Sequence, residues 1–405
     1  MIVTPQDIRN AADLIENQII RTPLVYSPLF SRRFGGEIYL KMENLQKTGS
    51  FKIRGAAHKL LKRSGEIGPR GVVAASAGNH AQGVALAARG AGVPAVIVMP
   101  EWASISKQEA TSAYGGEVIL HGESVEESLR KAMALSEEGR TFIHPFDDPD
   151  IIAGQGTIAR EIMDELPETD AIIVPIGGGG LISGIAVSAK AIRPAVRIIG
   201  VETANCPSGH ASLRKGERVR VPATTSIADG ISVKQVGEAN FGIIRNLVDD
   251  IVLVDEEAIA SAILTLLESK KILAEGAGAV PLAALMSGAV GMPPGSRTVL
   301  VVSGGNVDSP LLGRIITKGL VKNGRIMRVQ VQISDTPGSL ARVLSLIAEA
   351  KANVMHIDHH RYARNLPLYT TAVDLELETR GEPHIREIKK TLSEAGYDIT
   401  IECRI

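Results

Sequence analysis

From Gly71 onward, short runs of β-branched and aliphatic residues alternate with segments of helical periodicity, and this alternation constrains the fold more than any other feature. GVVAAS (Gly71–Ser76) precedes a helical stretch from Asn79 to Arg89, AVIVMP (Ala95–Pro100) a helix after Ser104, and GEVILHG a helix from Ser124 that leads to a short TFIHPF. The rhythm returns at AIIVPIGGGG (Ala171–Gly180), RIIGVE (Arg197–Glu202) and RTVLVVSGGN (Arg297–Asn306). Strands this apolar, separated by helices, predict parallel sheets covered on both faces, so the fold class expected is α/β, with two lobes in one unit. Ahead of them a Thr-Pro start predicts a helix from Thr4 to Ile20. RTPLVYSPLF reads as an extended connection and EIYLKME as a strand.

Near Leu320 the pattern changes. Lys322-Asn323-Gly324-Arg325 is polar, and MRVQVQIS then alternates with the two-residue period of a half-buried strand. After Asp335-Thr336-Pro337-Gly338 come a helical pattern from Ser339 to Ala350, strands around NVMHIDHHR and LYTTAVDLELET, a helix from Glu382 to Gly396 and a final DITIECRI. This order of elements predicts a ferredoxin-like α+β domain over residues 326–405.

With 405 residues, 44% hydrophobic and 22% charged, the chain has material for two or three packed domains. Lys+Arg 44 against Asp+Glu 45 gives no electrostatic case for nucleic acid or an anionic membrane, which leaves small molecules as the expected partners. The start, MIVTPQDIRNAADLIENQI, is amphipathic and carries acids, unlike a signal peptide or a membrane span. Cys206 and Cys403 are far apart and lack metal-ligand spacing, so no metal site is expected. A reduced, cytoplasmic protein is the reading.

Within Lys41–Leu61, KMENLQKTGSFKIRGAAHKLL, the residues Ile53, Ala56, Ala57, Leu60 and Leu61 recur at helical spacing, with Thr48 or Ser50 as candidate caps. Lys52 falls in the first turn, where free N–H groups and the helix dipole disfavour a second positive charge. A neutral amine there is a nucleophile toward an aldehyde such as that of pyridoxal phosphate. Gly177, Gly178, Gly179 and Gly180 follow an apolar strand and open a helix at Leu181, so their N–H groups can close on a phosphate. The same run also reads as a sharp turn of any α/β protein, and a dinucleotide site is weaker because G-x-G-x-x-G is not clear. Ser303-Gly304-Gly305-Asn306 and Ser76-Ala77-Gly78-Asn79-His80 likewise sit at strand ends, where ligands gather in open sheets.

The segment QKTGSFKIRGA resembles the cofactor-lysine motif of pyridoxal-phosphate enzymes of the tryptophan-synthase-β type, most closely the threonine dehydratases. RTPL at Arg21–Leu24, SAGNHAQGVA, HPFDDP, AGQGT, the glycine tetrad, ADGI, EGAGA and SGGN follow in that family's order, and the tail resembles an ACT domain. The resemblance implies a catalytic unit over 1–322, with a small lobe of about residues 50–150 inserted in a large one, and an ACT-like regulatory domain over 326–405. It implies pyridoxal phosphate on Lys52, with Phe51 beside the ring and its phosphate on Gly177 to Gly180 and Leu181. Ser303 and Gly304 would lie at the pyridine nitrogen, Asn79 at the 3′-oxygen, and Gly230 and Glu275 nearby. Ser76, Ala77, Gly78, Asn79 and His80 would take the substrate carboxylate, with no catalytic role for His80.

The activity so implied is β-elimination from L-threonine, and from L-serine, giving 2-oxobutanoate or pyruvate and ammonia. Serine racemases of the group carry a second serine where Ala77 stands, and an acid where Ser208 stands near Glu202. Ala77 therefore points away from racemisation and Ser208 away from a tight Mg2+ site, which leaves a monovalent cation open. The tail implies an amino-acid effector around Asp335–Leu340, such as isoleucine or valine in a branched-chain biosynthetic setting, or an oligomer interface in a homodimer or homotetramer. A non-catalytic amino-acid sensor is the reading from another class, and threonine and cysteine synthases are rivals within the family.

Overall fold

A computed structural model describes residues 3–361 and 367–401. Cys403 lies outside them. The chain packs as two compact units, Met1–Asp308 and Ser309–Ile405. Among the described residues no helix is long and apolar enough to cross a membrane.

In the first unit, β1 (Leu24–Tyr26) and β2 (Glu37–Met42) precede four strands of a separate sheet, β3 (Val72–Ala75), β4 (Ala95–Met99), β5 (Gly116–Leu120) and β6 (Thr141–Phe142). The chain then returns with β7 (Ala171–Pro175), β8 (Arg197–Thr203), β9 (Asp250–Val254) and β10 (Arg297–Val302). The larger sheet runs β1-β2-β10-β7-β8-β9, parallel except for β1, and the smaller, all parallel, runs β5-β4-β3-β6. Every residue of β3, β4 and β7 is buried, as strands covered by helices on both faces must be. The loops that follow β3, β7 and β10 are the three glycine-containing motifs, which therefore share the carboxyl-end position where parallel sheets bind ligands.

Three local expectations differ from the structure. The first helix is Pro5–Ile15, shorter than Thr4–Ile20, and Thr4 and Asp7 form its capping box. RTPLVYSPLF is not wholly extended: Pro28 starts a helix, Pro28–Phe34, capped by Ser27, because proline suits the first helical position. The Lys52–Lys62 helix is capped by neither Thr48 nor Ser50; Phe51 is its N-cap residue and makes no side-chain cap. The Thr48 hydroxyl instead donates to the Ser50 carbonyl.

Helix Lys52–Lys62 is bound to helix Pro149–Glu165 through Asp150, whose buried carboxylate accepts from Lys59 at 3.2 Å, Lys62 at 2.7 Å and Arg63 at 2.9 Å. Burial alone would push the Asp150 carboxyl up, but hydrogen bonds from Lys62 and Arg63 and the charge of Lys59 hold it well below the usual carboxylate range. A depressed carboxyl contributes stability above its unfolded pKa and loses it as pH falls toward the folded value. Asp150→Asn is expected to cost about 1–2 kcal/mol at pH 7, because Lys62 and Arg63 are partly solvated. Its urea midpoint should approach that of the parent below about pH 4; a constant difference down to pH 3 would contradict this.

The second unit contains helix Ser309–Lys322, then β11 (Ile326–Ser334), helix Ser339–Glu349, β12 (Asn353–His360), β13 (Thr370–Glu378), helix Glu382–Glu394 and β14 (Asp398–Ile401). Its sheet runs β12-β13-β11-β14, antiparallel throughout, a ferredoxin-like arrangement. The period-two pattern of β11 puts Val329, Val331 and Ile333 into a core with Val343, Ile347, Leu375 and Ile388. On its other face, Arg328 pairs with Glu376 and Gln330 with Asp374.

Candidate active site

A cavity of about 720 Å3 opens in the first unit at the carboxyl ends of β3, β7 and β10. Its wall includes Phe51 and Lys52, the run Ser76 to His80, Gly177 to Leu181, and Gly230, Glu275 and Ser303. Of the residues expected to hold cofactor or substrate, Gly304 alone is not in the wall. It stands behind, bridged to Ser50, with its carbonyl accepting from the Glu275 N–H.

The Lys52 amine is buried and donates to the Pro145 carbonyl at 2.7 Å, 5.2 Å from the Phe51 ring centroid. Burial pulls its pKa from 10.5 to about 8, with Glu275 opposing. Loss of water, rather than the helix start alone, is the cause of that shift. Glu275, also buried, is pushed up to about 7 by desolvation despite the hydrogen bond it accepts from Asn79 Nδ2 at 2.7 Å. Asn79 Oδ1 accepts from Asn306 Nδ2 at 2.7 Å, so the Asn79 amide is fixed from both sides. Ser76 Oγ accepts from the Gly78 N–H.

Two helix starts face the cavity with open donors. The N–H groups of Gly177 to Leu181, at the head of helix Gly180–Ile192, have no partner among the described residues, and neither have those of Asn79, His80 and Ala81 at the head of helix Asn79–Ala91. Each is a ready anion site. Glycine is required at Gly179, where φ is +95° and an added Cβ would lie 2.9 Å from Asn240 Cβ, and at Gly178, where it would strike the Phe146 ring. Asn240 Nδ2 donates to the Phe146 and Gly178 carbonyls and so ties the tetrad to the turn after β6. His80 lies in the wall as a neutral ring, lowered to about 3 by burial and then by Lys52, with Nε2 donating to the Ile143 carbonyl. Ser303 Oγ has no partner among the described residues.

Residues 15–304 match the family model described as pyridoxal-phosphate dependent enzyme. The chain belongs to that family. L-Threonine ammonia-lyase of Thermotoga maritima is 49% identical to this pyridoxal-phosphate-dependent enzyme over 401 residues, 99% of this chain and 100% of that one. Among solved structures, maize serine racemase has a TM-score of 0.75 at 38% identity, covering 80% of this chain and all of that one. The processed form of threonine deaminase isoform 2 from Solanum lycopersicum has a TM-score of 0.72 at 38% identity, covering 77% of this chain and 86% of that one.

The cavity suits the cofactor of the family. It combines one buried amine held near neutrality, a cradle of unpartnered backbone donors for a phosphate and an unpaired hydroxyl on the opposite wall. Among the described residues no cluster of three or more His, Cys, Asp or Glu could hold a metal ion. Glu202 accepts from the Gly209 and His210 N–H groups, while Ser208 Oγ donates to Val233.

Sequence reasoning missed the parts played by four residues here. Asn240 acts only through other site residues, and nothing in its local pattern marks it; Asn306 closes the SGGN motif, but its hold on Asn79 comes from tertiary structure. His144 and Phe146 stand in the HPFDDP run that carries the resemblance, but their place in the cavity wall follows only from the fold.

Proposed function

We propose that the protein is an L-threonine ammonia-lyase, acting on L-serine as well, in the cytoplasm. The observation that carries this is the match to the Thermotoga maritima enzyme over both units, rather than over the catalytic unit alone. Ala77 supports elimination over racemisation, since a methyl group cannot exchange a proton.

When bound, pyridoxal phosphate would supply an aldehyde, held by the Lys52 amine until the substrate amine replaces it and frees the lysine, and a ring to take up the electron pair left when Cα loses its proton. The N–H groups of Gly177 to Leu181 would hold its phosphate, Asn79 Nδ2 would serve its 3′-oxygen and Ser303 Oγ its ring nitrogen. A hydroxyl there does not fix a proton on the ring as a carboxylate would, which favours prompt loss of the β-substituent. Lys52, kept partly neutral by burial, removes the Cα proton. The helix start at Asn79 takes the substrate carboxylate. The β-hydroxyl takes up one proton, matching the one Lys52 removed from Cα, and leaves as water; one water then hydrolyses the unsaturated amine so formed to 2-oxobutanoate, or pyruvate from serine, and ammonia.

An amino-acid effector at the loop Asp335–Leu340, and a homo-oligomer, belong to the same reading, supported by the ferredoxin-like second unit. The purified protein incubated with L-threonine is expected to release equal amounts of 2-oxobutanoate and ammonia, without accumulating the D-isomer. Absence of keto acid from both threonine and serine, or racemised substrate as the main product, would overturn it.

A further inference from the structure

His144 is in the cavity wall but has no part in the site as assembled above. Its Nδ1 accepts from the Phe146 N–H at 3.2 Å and the Asp147 N–H at 2.8 Å. Backbone N–H groups can only donate, so Nδ1 carries no proton and the neutral ring must carry its own on Nε2. The ring is held edge-on to Phe146, at 90° with centroids 4.8 Å apart, which leaves it little rotational freedom. Nε2 has no partner among the described residues. Burial lowers the imidazole below its ordinary pKa, with Asp147 and Asp148 opposing and Lys52 assisting, so the ring is neutral at physiological pH. The next residue in the chain, Pro145, supplies the carbonyl that holds the Lys52 amine.

These observations describe a rigid, neutral N–H donor within one residue of the anchor of the base, in a chamber where backbone donors already serve the two anionic groups. The geometry points to His144 Nε2–H as the donor that binds the β-oxygen of the substrate and selects hydroxy amino acids over their deoxy counterparts. The neutral ring orients the leaving oxygen and is not the source of its proton. This assignment rests on the lyase reading, since it presumes a β-hydroxyl in the chamber.

Two variants separate the two edges of the ring. In His144→Asn, Oδ1 can still accept from the Phe146 and Asp147 N–H groups, but no donor replaces Nε2. In His144→Gln, the amide nitrogen stands near the former Nε2 position. The expected result for the cofactor-loaded protein is a fall in kcat/KM for L-threonine of about 10- to 100-fold in His144→Asn, with most of it restored in His144→Gln. The Kd of L-2-aminobutyrate, which lacks the hydroxyl, should be unchanged in both by calorimetry. In 15N-labelled wild type, NMR should find the His144 proton on Nε2.

A turnover in His144→Asn within about twofold of wild type would overturn the proposal, as would an Nδ1 proton. So would a loss of L-2-aminobutyrate affinity matching the loss of turnover, which is the signature of a carboxylate contact or a distorted turn. A wild type inactive on both hydroxy amino acids would instead overturn the lyase reading and take this assignment with it.

Discussion

Lys52→Ala is expected to lose turnover of L-threonine by about 10³-fold or more and to lose its bound cofactor on dialysis, while remaining folded. The folded half of this expectation follows from the direction of the pKa shift. The unfolded lysine is protonated at pH 7, whereas the folded site pulls it to about 8, so burying the amine costs stability rather than contributing it. Alanine removes that cost and leaves a cavity lining, not the packed core, one side chain shorter. The melting temperature of the cofactor-free variant should therefore equal or exceed that of the cofactor-free parent. Turnover within tenfold of the parent would remove Lys52 from the chemistry.

The largest loss of stability is expected two residues further on. Arg54 is fully buried and donates to both oxygens of Glu43 at 2.8 Å, to Glu161 at 2.6 and 3.0 Å and to Thr157 at 3.1 Å. Buried Lys41 completes the group by donating to Glu161 and to the Thr22 carbonyl. Two cations and two carboxylates are thus closed off from water between β2, the Lys52 helix and helix Pro149–Glu165. Burial pulls the Arg54 guanidinium down, but Glu43 and then Glu161 more than offset it; burial likewise pushes Glu161 up, and Arg54 and Lys41 hold it below its ordinary value.

Removing Arg54 leaves two buried carboxylates to one ammonium. Arg54→Met is expected to cost about 3–5 kcal/mol, and Arg54→Lys less, since it keeps the charge but not the fork. Because the network seats the helix on which Lys52 stands, the Met variant should also bind cofactor poorly. Urea midpoints of the two variants within experimental error of the parent would show the cluster to be neutral.

That network shows where reading the sequence stopped. Lys41, Glu43 and Arg54 all lie inside the segment that identified Lys52, but their partner Glu161 is more than a hundred positions away, and no local period connects them. The strands were legible because a doubly covered sheet forces continuous apolar runs, and the glycine tetrad because no other residue tolerates the approach of Phe146 and Asn240. Pro28 misled because proline both breaks and begins helices, and only the Ser27 cap distinguishes the two. The anchoring of Asn79 by Asn306 and Glu275, and the tautomer of His144, depend on groups brought together by tertiary structure alone.

The central claim is that the cofactor is carried on the amine of Lys52. Reducing the pyridoxal-phosphate-loaded wild-type protein with borohydride, digesting it and locating the modified peptide by mass spectrometry tests this directly. The account predicts a single stoichiometric phosphopyridoxyl group on Lys52; the same group on any other lysine, or none in a protein that still turns over threonine, would contradict it.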